Sequence, residues 1–185
     1  MKRGRGDGTL TGGTHDVNPQ WMVFNSNVQS APNTFTEGVL NTPISRFPQG
    51  KGKSVVLEVL KVQFLMASVD TNPAAGGTII TRSAQVTTSS QTGLIPSGTE
   101  VTAFYQDAYR GAFTAAGSYE SAMSSTPMID LTDGAGHGML VATDQVYFGV
   151  NTTGYANAGS FACRMLYRFK LVTLEEYIGI VQSQQ

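Results

Sequence analysis

The chain has 185 residues, 41% of them hydrophobic, and a formal net charge of -1. That length suits one domain with a core of its own, and so small a charge excludes a generic polyanion binder. Cys163 is alone, which excludes an internal disulfide or a cysteine-based zinc site, and no run reaches the roughly 18 apolar residues of a membrane helix.

The counts that set the fold class are 21 Thr, 21 Gly and 16 Val against 5 Lys and 6 Glu. Thr and Val branch at Cβ, which stiffens χ1 and suits a pleated strand, whereas the fillers of solvated helix faces are scarce. Residues 1–16 (MKRGRGDGTLTGGTHD) carry five glycines and one large aliphatic residue, so a flexible arm is expected. Lys2, Arg3 and Arg5 lie in it, and the next lysine or arginine is Arg46. The start has no apolar signal-peptide core, which predicts synthesis inside the cell.

WMVFNSNV (21–28) reads as a first strand. Residues 30–53 hold Pro32, Pro43 and Pro48 and are expected to be irregular, because each proline removes a ladder donor. SVVLEVLKVQFLMASV (54–69) is the most apolar stretch. Strict alternation puts Val56, Leu60, Val62 and Phe64 on one face and Val55, Leu57, Val59 and Leu65 on the other, a strand covered on both sides for part of its length. DTNPAAGG (70–77) is a turn. Residues 78–88 read as a polar, Thr-rich strand, 89–98 as a loop and 100–106 as a strand. The segment 107–125 is ambiguous, with Tyr119, Ala122 and Met123 able to share one face of a short helix. A short strand over 126–131, a loop at DGAGHG (133–138), one or two strands in 139–150 and a loop over 151–159 follow.

SFACRMLYRFKLV (160–172) is the clearest element. Phe161, Cys163, Met165, Tyr167, Phe169 and Leu171 alternate with Ala162, Arg164, Leu166, Arg168 and Lys170, a strand with one face on a core. A slip of one residue would bury three cations, which fixes the register. Thr173 and Glu176 have capping-box spacing, enough for one helical turn. Ile178, Ile180 and Val181 then make the tail too apolar to be free, so it is expected to dock on the domain or on a neighbouring subunit. About eight short strands between turn-rich loops indicate an all-β sandwich or jelly roll.

Chemistry-bearing motifs are sparse. His15 beside Asp16 sits in the arm, and His137 lies in a glycine loop. There is no nucleophile elbow, H-E-x-x-H or phosphate-binding loop, so no enzyme and no cofactor are expected. A Ser, His and Asp brought together from distant positions would be the remaining route to catalysis. Asp130, Asp133 and Asp144 flank the DGAGHG loop and could bind Ca²⁺, although solvated turns account for them without an ion. Arg5-Gly6-Asp7 spells an adhesion tripeptide of a kind that arises readily in glycine-rich arms. Asn151-Thr152-Thr153 fits a glycosylation sequon and serves here as a surface-loop marker. Cys163, on the apolar strand face, is read as an inert buried thiol.

The basic residues support a sharper reading. Lys2, Arg3 and Arg5 can release counterions from phosphates. Arg164, Arg168 and Lys170 add three cations on the polar face of the last strand. If arm and face share one side, they make a sequence-independent nucleic-acid surface, one without an aromatic ladder for base stacking. The bland alternative is ordinary solvated or interface-pairing cations.

Two stretches, TGGTHDVNPQWM (11–22) and YRFKLVTLEEYIGIVQSQQ (167–185), resemble the ends of capsid proteins from circular, Rep-encoding single-stranded DNA viruses of environmental and marine type. The resemblance covers about a sixth of the chain. It implies a single eight-stranded jelly roll over 17–185, two four-stranded antiparallel sheets, with the first and last strands paired centrally in one of them. It also implies an icosahedral T=1 shell of about 60 copies. The arm and the outer face of that sheet would then look inward, toward the single-stranded DNA. The resemblance further implies a virion component made in the host cytoplasm and assembled there or in the nucleus, with no membrane partner and a host receptor of unknown nature. Many relatives carry a longer arginine-rich arm than this one. The rival readings are a ligand-binding β-sandwich of lectin-like or adhesion type and, more remotely, a cupin-type enzyme.

Overall fold

A computed structural model describes residues 19–23, 28–42, 52–66, 79–98, 101–110 and 126–184. The expected arm (1–16), the 70–77 turn and the 111–125 segment lie outside the described residues, as do Lys2, Arg3 and Arg5. In chain order the elements are β1 (Gln20–Val23), β2 (Val28–Ser30), β3 (Phe35–Asn41), β4 (Lys53–Leu65), β5 (Ile79–Thr87) and β6 (Val101–Arg110). Then come β7 (Met128–Asp130), β8 (Met139–Val141), β9 (Gln145–Thr153), β10 (Gly159–Thr173) and α1 (Leu174–Ser183).

The strands form two antiparallel sheets. One runs β1-β10-β4-β7, with β2 further along the same edge of β10 as β1, and β8 further along the same edge of β4 as β7. It therefore has six strands in four lanes. The other runs β3-β9-β5-β6. Chain-neighbouring strands mostly sit in opposite sheets, which is the jelly-roll path, and the sandwich encloses one core. The first and last strands do pair, as expected, but not centrally: β1 and β2 are an edge, while β10 and β4 hold the middle. The expected first strand is represented by β1 and β2, and residues 24–27 between them lie outside the described residues.

β10 keeps its alternation. Phe161, Cys163, Met165 and Tyr167 are buried in the core and Phe169 packs at its border. Leu171 breaks the expectation, standing exposed beyond the end of the core where the strand runs on toward α1. β4 departs from simple alternation for a nameable reason. Leu166 pairs with Lys61 but Tyr167 pairs with Val59, so Leu60 is an extra residue, a bulge. The bulge flips the parity, and Leu57 and Val59 face the core together with Val62 and Phe64. Phe64 stacks on Phe148 of β9 across the sandwich at 6.1 Å.

The second covering of β4 is α1. Val56 and Val172, with Ala142, lie under Tyr177, Ile180 and Val181. Thr173 caps the helix by accepting the Glu176 N–H at 3.2 Å, and ten residues are helical rather than the single turn expected. The tail docks on its own domain. Gln184 is buried, its Oε1 accepts from the Ala142 N–H at 3.2 Å, and its carbonyl accepts from Thr88 Oγ1 at 3.3 Å.

Further expectations are corrected or refined. FTEGVLN forms β3 between Pro32 and Pro43; the prolines flank the strand, and an edge position tolerates them. β5 is polar in sequence yet buried on both faces. Ile80, Arg82, Ala84 and Val86 are buried along one face, with Ala84 and Val86 in the core. On the other, Gln85 binds the Gly93 carbonyl at 3.1 Å and the Ile95 N–H at 2.9 Å, so the 88–98 loop covers the sheet. The strand expected over 100–106 continues to Arg110, and the 151–159 loop begins only after Thr153. The sequon at Asn151 therefore marks a strand, with Thr152 fully buried, and not a surface loop.

Candidate functional site

The outer face of the β1-β10-β4-β7 sheet carries three of the predicted cations, Arg164, Arg168 and Lys170, and register decides their state. Arg168 lies opposite Glu58 of β4, and Arg164 opposite Gln63. Glu58 is 1% exposed, and its Oε2 accepts from Arg168 Nε at 2.5 Å while Lys170 Nζ stands 3.9 Å from Oε1. The Gly138 N–H completes the set at 3.0 Å, and Arg168 Nη2 reaches the Gly136 carbonyl at 3.2 Å. Burial opposes ionisation of Glu58, but the Arg168 and Gly138 hydrogen bonds and the two cations outweigh it and hold its pKa below the usual carboxylate range.

The 131–138 loop is strapped down over this cluster. Gly138 approaches the β4 backbone so closely that a Cβ there would sit 2.3 Å from the Val59 carbonyl oxygen. Gly136 turns the loop with φ +84. Asp133 accepts the Ala135 and His137 N–H groups and faces the His137 ring at 3.0 Å; these bonds, the His137 N–H foremost, lower its pKa. Asp130 accepts Thr132 Oγ1 at 2.6 Å and pairs with Lys61 at 2.9 Å, and the Thr132 hydroxyl leads the contacts that hold its carboxyl far below the ordinary range. Asp130 and Asp133 thus organise turns. No group of three metal-ligating side chains occurs among the described residues.

Of the four cations Lys61, Arg164, Arg168 and Lys170, three face carboxylates. Arg164 instead donates from Nε to Gln63 Oε1, and its guanidinium lies 4.5 Å from the centroid of the Trp21 ring. The sequence reading missed Glu58 and Trp21 as members of this surface. Glu58 carried a signal, since a carboxylate inside VVLEVLK cannot be buried without a cation beside it.

Three other features lie apart from this surface. Arg82 of β5, fully buried, pairs with Asp107 of β6 at 3.0 and 2.5 Å, and Tyr105 donates to the same carboxylate at 3.3 Å. Cys163 is buried, and burial pushes its thiol pKa well above normal, as expected of an inert residue. An open groove of about 640 Å³ lies at one end of the sandwich, and its Asn41, Thr143, Gln145 and Tyr147 side chains bond to one another or to nearby backbone.

No family model and no curated protein sequence matches the chain. Among solved structures it is similar to VP1 of human polyomavirus 6, known as a pentamer, with a TM-score of 0.52 at 11% identity over 84% of this chain and 95% of that one. VP1 of trichodysplasia spinulosa-associated polyomavirus gives 0.48 at 12% identity over 80% and 86%, and VP1 of Washington University polyomavirus 0.48 at 13% over 76% and 77%. At these identities the likeness is one of fold: the chain is an all-β jelly roll of the kind found in the human polyomavirus 6 protein.

Proposed function

We propose that the chain is a structural coat subunit that self-assembles into an icosahedral T=1 shell of about 60 copies around a small single-stranded DNA genome. The observation that carries the reading is the jelly-roll strand order, β1-β10-β4-β7 against β3-β9-β5-β6, in a fold that aligns with a viral VP1 over 84% of this chain and 95% of that one. The resemblance of residues 11–22 and 167–185 to Rep-encoding virus capsid proteins supplies the single-stranded DNA.

Chain entry supports the orientation. The sandwich is entered at Gln20 on β1, which pairs with β10, so the arm bearing Lys2, Arg3 and Arg5 is attached to the sheet that carries Arg164, Arg168 and Lys170. Both would face the lumen. Three cations less Asp7 and Asp16 leave each arm about +1, or roughly +60 for about 60 copies, and Glu58 and Asp130 offset much of the inner face. A genome of thousands of phosphates exceeds this, so packaging draws on other counterions, and empty shells form readily. Contacts between subunits are then mainly apolar, with Leu171, Leu174 and Ile178 exposed near and along α1. The loops 89–98 and 154–158 would form surface around the symmetry axes.

Size-exclusion chromatography with negative-stain microscopy tests this on protein expressed alone. Closed particles roughly 20 nm across are expected. A uniform 19.7 kDa species across salt and pH would overturn the reading in favour of a ligand-binding sandwich.

A further inference from the structure

We infer that Trp21 and Arg164 form a base-stacking platform for single-stranded nucleic acid on the outer face of the β10 sheet, an inference that deepens the coat reading and rests on its assignment of that face to the lumen. Trp21 is 42% exposed although it is the largest apolar side chain in the protein and the chain has one tryptophan. It sits on β1 opposite Leu166, a residue whose face it shares with Arg164 and Arg168. Arg164 reaches diagonally across, with its guanidinium carbon 4.5 Å from the indole centroid and its Nε bound to Gln63 Oε1 on β4. An indole, a guanidinium and an amide therefore run in a row across three adjacent strands.

Charge separates this row from the rest of the face. Lys61 is matched by Asp130, and Arg168 and Lys170 by Glu58. Among the described residues, Arg164 is the cation of this face that has no carboxylate within ion-pair distance. Its partners among the described residues are neutral, which leaves its charge open to an anion from outside. A half-exposed indole with a guanidinium over one of its faces fits one ligand chemistry well: a base that stacks on this indole–guanidinium pair from its open side and a phosphate that meets the cation. A strand whose bases are unpaired supplies both at once, while a duplex hides its base faces. No base-edge donor or acceptor set is fixed around the indole, so recognition is by stacking and charge and is independent of sequence. The surface remains without an aromatic ladder, and the inference adds to it one stacking position, on the edge strand that follows the basic arm in sequence.

Because Trp21 is the sole tryptophan, its fluorescence reports this position alone. Full-length subunits, kept by light scattering below the concentration at which particles form, are titrated with oligothymidylate and, in parallel, oligouridylate and a duplex of equal length, with anisotropy of labelled oligomer as a second readout. Saturable quenching is expected with both single strands alike and weaker binding with the duplex. Trp21→Leu should weaken single-strand binding roughly 5- to 100-fold, and Trp21→Phe should restore most of it. Arg164→Gln should lower the slope of log affinity against log salt by about 0.7. Oligomer binding without quenching, or unchanged affinity in Trp21→Leu, overturns the platform. So does quenching that follows particle formation in the absence of any oligomer, because Trp21 would then be buried between subunits. Microscopy of the same variants keeps the two ideas apart. Shells without quenching sink the platform and leave the coat reading, whereas quenching in a chain that never assembles does the reverse.

Discussion

Replacing Glu58 by Gln tests how the outer face of the sheet is held. The side chain keeps its shape but loses its charge. One amide end must now present N–H groups to either Arg168 Nε or the Gly138 N–H, donor against donor. The charge-assisted bond to Arg168 contributes about 1.5–3 kcal/mol. Lys170, at 3.9 Å with its side chain 37% exposed, adds no more than about 0.5 kcal/mol. Arg168 is 22% exposed and rehydrates in part, which keeps the loss below the ~3–5 kcal/mol of a fully buried pair. The expected loss is about 2–4 kcal/mol, or roughly 4–16 °C in Tm for a chain of this size. Thermal unfolding followed by far-ultraviolet circular dichroism reads it. The sign with pH follows from the depressed carboxyl. Its stabilisation is complete above the unfolded value near 4.5 and fades as pH falls through the lower folded value. The gap between parent and variant should therefore be widest near neutrality and close in acid. A variant within about 0.5 kcal/mol of the parent at neutral pH, or a gap that does not change with pH, would refute the reasoning.

Gly138→Ala places a methyl group against the Val59 carbonyl, a backbone atom that cannot swing aside, and should cost about 1–3 kcal/mol by urea denaturation. Asp107→Asn removes the charge that meets fully buried Arg82 and should lower stability by about 2–4 kcal/mol in the same assay. Thr173→Ala removes the α1 cap and should cost about 1 kcal/mol, seen as several-fold faster hydrogen exchange at the Glu176 amide. Cys163 should resist a disulfide reagent in the folded protein and react at once in denaturant; rapid reaction under native conditions would contradict its burial.

Local patterns were legible in the sequence and pairings were not. β10 was readable because six apolar residues alternate within one segment, and the α1 cap because Thr173 and Glu176 lie three apart. The bulge at Leu60 was not, because it arises from how β4 meets Leu166 and Tyr167, a hundred residues away. β5 reads as a polar strand, and nothing within it announces that Gly93 and Ile95 will fold back over Gln85. The prolines that argued for an irregular 30–53 flank β3 and leave its ladder whole. For the candidate surface, composition supplied the cations of β10, but their neutralisation depends on the register that sets Glu58 beside Arg168. Trp21 was visible as a residue of the first strand; that this strand would form an edge, next to the unmatched Arg164, required the fold.

The most direct test of the coat reading is the mass of the assembled species by charge-detection mass spectrometry of the protein expressed alone. An empty shell of about 60 copies of the 19.7 kDa chain gives a peak near 1.2 MDa, with any packaged nucleic acid adding to it. A spectrum holding only the 19.7 kDa monomer at every salt and pH tried would contradict the account.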